Sequence, residues 1–346
     1  MTGIGVRGSR GTRWLRAGVS GVVAVAASLS VVAGLVPTPS AVAAQPSDLT
    51  MPTWFQLSPA SSPAPRDSAA IADDSGTGQL LLFGGRSQTD NFADTWTWNG
   101  MNWNQLAPTT SPSARNYAAM AYDQATGQMV LFGGSSTTGP LGDTWLWTGT
   151  TWVEQNPATS PPARAFASMA YDRATGQLVL FGGLGTDGNP LGDTWTWTGS
   201  TWTQLSPASS PSARAFASLA YDQSRSSSDV ILFGGSDGTT YLGDTWAWDG
   251  STWAQLAPAV SPPIRDSAGM ADDPNTGQLM LFGGSNGDDH FGDTWEFDGS
   301  TWAQLSPTVS PPPRYSAPLT YDAATSQLLL FGGDPSDTGK LADTWL

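Results

Sequence analysis

Six arginines recur at one position of a repeated pattern: Arg66, Arg115, Arg164, Arg214, Arg265 and Arg314. Such a set has two chemistries open to it. Ringed around one mouth of a channel in an acidic protein, the guanidinium groups would gather anionic ligands. Turned inward, they would bind backbone carbonyls or the aspartate of the Asp-Thr-Trp that recurs further along each copy. The residue after each arginine changes from copy to copy: Asp67, Asn116, Ala165, Ala215, Asp266 and Tyr315. Asp67 and Asp266 have the chemistry of an acid/base pair. A second variable stretch follows each Phe-Gly-Gly and carries Arg86, Phe92, Tyr241, Asp288, Asp289, His290 and Lys340. Recognition groups concentrate on loops held by a rigid scaffold. The candidate binding set is therefore the six arginines with Asp67, Asn116, Asp266, Tyr315, Arg86, Phe92, Tyr241 and His290.

Composition removes several other chemistries. The chain has no Cys, so it offers neither disulfides nor a thiolate. His290 is its single histidine, too few for a zinc centre and an isolated partner for any serine nucleophile. A net charge of −15 repels nucleic acid and anionic membranes. No cofactor or metal is expected. The pairs Asp73-Asp74 and Asp272-Asp273 stand where other copies have Tyr-Asp, which suits calcium or, more simply, solvated turn acids.

The elements that must position these groups are read from the repeat. Residues 1–44 have the form of a Sec-type export signal: Arg7, Arg10, Arg13 and Arg16, then an apolar run, then Ala41-Val42-Ala43-Ala44. Cleavage is expected after Ala43 or Ala44, giving a secreted, extracellular protein; an uncleaved membrane anchor is the alternative. Residues 45–52 read as a linker. From Thr53 to Leu346 the chain repeats one unit six times, with Phe-Gly-Gly starting at Phe83, Phe132, Phe181, Phe233, Phe282 and Phe331.

Each unit parses into four strands, here lettered a to d. In the third copy these are Ala167–Asp172, Gln177–Phe181, Thr194–Thr198 and Thr201–Leu205. Turn residues link a to b and c to d, and no stretch keeps a helical period. Strand a is rich in Ala and Ser, strand b is apolar on both faces, and strands c and d carry the tryptophans. Small residues first and bulky ones last suit a wedge, and wedges standing around an axis make a β-propeller. The fold class is all-β: six four-stranded antiparallel blades. The last copy stops within strand c at Leu346, while Thr53-Trp54-Phe55-Gln56-Leu57 reads as a strand d. The N-terminal strand should therefore join the last blade and close the ring.

Arg, an apolar strand, Leu-Phe-Gly-Gly, Asp-Thr-Trp-x-Trp and Thr-Trp-x-Gln-Leu-x-Pro together resemble the kelch repeat, as found in secreted bacterial kelch proteins and galactose-oxidase-like central domains. The resemblance covers nearly all of Thr53 to Leu346. Phe297 replaces a strand-c Trp in the fifth copy. Two residues after the arginine, kelch units often have His; here stand Ser68, Tyr117, Phe166, Phe216, Ser267 and Ser316. The copper-oxidase chemistry found in one kelch propeller needs a Cys-linked tyrosine and His ligands, which this chain lacks. The resemblance implies a binding module, expected as a monomer, that grips a protein segment or a glycan on the face of the d–a and b–c loops. A carbohydrate-active enzyme of epimerase or mutarotase type, using acids at the channel mouth, is the alternative.

Overall fold

A computed structural model describes residues 53–225, 229–336 and 339–346. The export signal and linker expected over residues 1–52 lie outside them. Six four-stranded antiparallel sheets, and no helix, make up the described residues apart from short two-residue pairings in the loops. In the third blade the strands are Ser168–Asp172, Gln177–Phe181, Thr194–Trp197 and Trp202–Leu205. These agree with the bounds expected from the sequence to within one residue. The sixth blade orders Leu319–Asp322, Gln327–Phe331, Thr344–Trp345 and, outermost, Gln56–Leu57 from the N-terminal end. Gln56 pairs with Trp345 and Leu57 with Thr344, so the ring closes as the sequence predicts.

Strand b is where the blades meet. Leu178 and Leu180 lie in one core with Val130 and Phe132 of the second blade; Val179 and Phe181 lie in another with Val230 and Leu232 of the fourth. Both faces of the strand are covered, which explains why it is apolar throughout. Further out, the strand-d tryptophan of each blade stitches it to the preceding one. Trp152 Nε1 donates to Thr95 Oγ1, Trp202 to Thr144, Trp253 to Thr194 and Trp302 to Thr245, at 2.9–3.0 Å. Trp54 to Thr294 and Trp103 to Thr344 complete the circuit. The threonine of every Asp-Thr-Trp thus has a defined task, and the strand-d tryptophans are core.

The diglycine is required on two grounds. Gly84 and Gly85 have φ of 67° and 93°, in the region that a side chain disfavours. A Cβ on Gly84 would also lie 2.5 Å from the Arg115 carbonyl oxygen of the next blade. That carbonyl accepts the N–H of Gly85 at 2.9 Å, a bond repeated between every pair of neighbouring blades.

Candidate functional site

The six arginines do not face a ligand. Each is 0–1% exposed, and each is tied into its own blade. In the third blade Arg164 Nη1 and Nη2 donate to Asp193 Oδ1 and Oδ2 at 2.6 and 2.8 Å. Nη1 also donates to the Gly182 carbonyl and Nε to the Pro162 carbonyl, both at 3.0 Å. Asp193 Oδ2 accepts Trp195 Nε1 as well, at 2.6 Å. The same cassette recurs in all six blades. The ligand-facing reading of Arg66, Arg115, Arg164, Arg214, Arg265 and Arg314 is thereby corrected: a bidentate pair and two carbonyls engage four of five donors. The aspartates bind this guanidinium and a tryptophan. Burial alone would raise their pKa, but the arginine and the indole hold Asp94, Asp143, Asp193, Asp244 and Asp293 below the usual carboxylate value. Phe92, half-buried, places its ring centroid 4.0 Å from the Arg66 guanidinium.

The variable residues do come together. Each residue after an arginine bridges to the first residue of its b–c loop: Asp67 to Arg86, Asn116 to Ser135, Asp266 to Ser285 and Tyr315 to Asp334. A second bridge joins Arg86 to Asn91, Ser236 to Tyr241 and Ser285 to His290. These rungs place d–a and b–c loops on one face, here called upper. Inside them runs a closed ring of backbone bonds. The N–H of Ser68 donates to the Ser316 carbonyl, Tyr117 to Ser68, Phe166 to Tyr117, Phe216 to Phe166, Ser267 to Phe216 and Ser316 to Ser267, at 2.9–3.1 Å. All six have φ between 50° and 61°. Non-glycine residues in that region are strained by roughly 1–2 kcal/mol each and persist where surroundings hold them.

The upper mouth is divided. On one side Tyr117, Phe166 and Phe216 form an aromatic shelf, with ring centroids 4.2 Å apart for Tyr117–Phe166 and 4.1 Å for Phe166–Phe216. All three are only partly buried. Across the mouth stand Ser68, Ser267 and Ser316, and Tyr117 Oη reaches Ser316 Oγ at 3.2 Å. Outside the serines lies an ionic cluster. Asp67, fully buried, accepts Arg86 Nε at 3.0 Å and Ser68 Oγ at 2.7 Å, and pairs with Lys340. Lys340 also pairs with Asp334, which accepts Tyr315 Oη at 2.7 Å. The His290 ring stacks on Tyr315 at 5.0 Å, and its Nε2 contacts Ser336 Oγ at 2.6 Å. Arg86 keeps 39% of its side chain exposed, 5.6 Å from the Tyr117 ring. Burial pushes Asp266 up to about 6 against the pull of Ser267, and burial with Asp266 and Asp288 raises Tyr241. Asn116 donates to Asn91 Oδ1 at 2.8 Å.

A family model described as the KLHDC2/KLHL20/DRC7 Kelch-repeats domain matches residues 147–333, more than half of the chain. The chain belongs to the kelch-repeat family. No curated protein matches it. In this kelch propeller the repeated residues make the scaffold, and the upper mouth is written in positions that differ between blades. The sequence points to Arg86, Asp67, Asn116, Asp266, Tyr241, His290 and Tyr315 on these loops, and the fold gathers them on that face. That reading left out the aromatic shelf, although the signal was present. Tyr117, Phe166 and Phe216 occupy one position in three consecutive copies, where the other three have serine.

Proposed function

We propose that this kelch propeller is exported and, as a monomer, binds a segment of another protein on its upper mouth. Kelch propellers are generally protein-interaction modules. The observation that carries the finer reading is the split mouth: a partly exposed aromatic shelf facing the Arg86–Asp67–Lys340–Asp334 cluster. A peptide can lay apolar side chains on the shelf while a polar or acidic group meets Arg86. The shelf would also take the apolar face of a sugar, so a glycan is the competing ligand. The enzyme reading has less to work with, since Asp67 is buried beneath Arg86 and Lys340.

The test is a peptide array and a glycan array probed with the mature protein, then with Arg86→Ala and Phe166→Ala. Peptide hits weakened about tenfold or more in both variants, with unchanged unfolding midpoints, are expected. Glycan hits alone would replace the ligand class, and no hit on either array would sink the reading. Export is checked separately: the N-terminus of secreted protein should begin at Ala44 or Gln45.

A further inference from the structure

The opposite, lower opening of the channel is a funnel of about 330 Å³. One position of strand a supplies its rim: Asp73, Tyr122, Tyr171, Tyr221, Asp272 and Tyr321, each paired with a residue at the start of its strand b. Four tyrosines and two aspartates thus stand around an axis with approximate sixfold symmetry. No three His, Cys, Asp or Glu among the described residues group to hold an ion.

The two aspartates have different neighbours. Arg173 leaves the third blade, lays its guanidinium 4.7 Å from the Tyr221 ring centroid in the fourth, and acts electrostatically on Asp272 in the fifth. A cation on a tyrosine face and within electrostatic reach of a carboxylate, without touching it, is a favourable triplet. Turning the ring by two blades carries Arg173 to Pro274, Tyr221 to Tyr321 and Asp272 to Asp73. The second triplet has its ring and its carboxylate, but proline where the first has arginine. Asp73 Oδ1 and Asp272 Oδ1 are both buried without a hydrogen-bond partner, but only Asp272 has a cation within electrostatic reach. The charged and titratable groups facing Asp73 are Asp74 on its own strand, Asp322 from the sixth blade and Tyr122 from the second; none is a cation. The backbone N–H of Ala323 is its one favourable neighbour.

We propose that the lower funnel binds an arginine-type guanidinium between Asp73 and Tyr321, in the arrangement that Arg173 makes with Asp272 and Tyr221. The ligand is free arginine or an arginine of a peptide, drawn by the acidity of the whole chain. The site is separate from the upper mouth, so its test is independent of the peptide reading above. Asp73 must ionise to bind, and burial has pushed it up to about 7; binding should weaken as pH falls from about 8 to about 6.

The experiment titrates the mature protein with N-acetyl-arginine amide, with the neutral isostere N-acetyl-citrulline amide, and with a blocked pentapeptide holding one central arginine. Saturable binding of the arginine probe, no binding of the citrulline probe, and at least about tenfold loss in Asp73→Asn are expected. Tighter binding of the pentapeptide assigns the source to a protein, and equal or weaker binding to the free amino acid. Pro274→Arg fills the place from within and should abolish binding while leaving Asp73 intact. No saturable binding, equal binding of citrulline, or unchanged affinity in both folded variants overturns the proposal.

Discussion

At the scale of single residues, the arginine, the aspartate and the first tryptophan of each copy form one hydrogen-bonded object. Arg164 touches Asp193 twice, and Asp193 touches Trp195. Removing one partner of such a pair leaves an uncompensated buried charge. Asp193→Ala should therefore lower unfolding free energy by about 3–5 kcal/mol, whereas Arg164→Met with Asp193→Leu should cost less. Denaturant unfolding of both variants checks this, and a single-variant cost below about 1 kcal/mol would refute it. Residue types alone pointed to this cassette only as one of two options. An arginine at a strand entrance reads the same whether it points at solvent or at a carboxylate from a strand two positions over. Burial decides, and burial depends on the neighbouring blade.

At the scale of elements, the sequence was most legible where side-chain size changes along the unit. The bounds of strand b, Gln177–Phe181, follow from its apolar run and are reproduced without change. The six left-handed residues of the inner ring were not legible, because their conformation comes from cross-blade bonds rather than local preference. The strand carrying most consequence is the N-terminal one. Trp54 packs 5.2 Å from Phe282 and donates to Thr294 at 3.1 Å, so it fastens the sixth blade to the fifth. Trp54→Ala should cost about 3–5 kcal/mol. Phe55→Ala, at a neighbouring side chain 58% exposed, should stay within about 0.5 kcal/mol. Equal effects of the two substitutions would mean that this strand does not clasp the ring.

At the scale of the whole molecule, two families of carboxylates pull stability in opposite directions with pH. Asp94, Asp143, Asp193, Asp244 and Asp293 titrate below their ordinary value of 3.8. Their contribution is complete above that value and is lost as pH falls through their folded pKa. Asp73 and Asp272 are pushed up to about 7 and Asp266 to about 6, each chiefly by burial. Between 3.8 and those values the folded chain holds protons that the unfolded chain has released, so stability declines as pH rises through the interval. The thermal midpoint should peak in mild acid and fall toward pH 8. Combining Asp73→Asn, Asp266→Asn and Asp272→Asn should flatten the alkaline limb and spare the acid one; an alkaline limb that survives the triple substitution would contradict this. The circuit of amide bonds from Ser68 through Ser316 has its own electrical consequence. Its six donors all point the same way around, so their dipoles chase one another head to tail and cancel across the opening. The backbone there favours neither sign of charge, and any preference at that entrance must come from what the side chains bring.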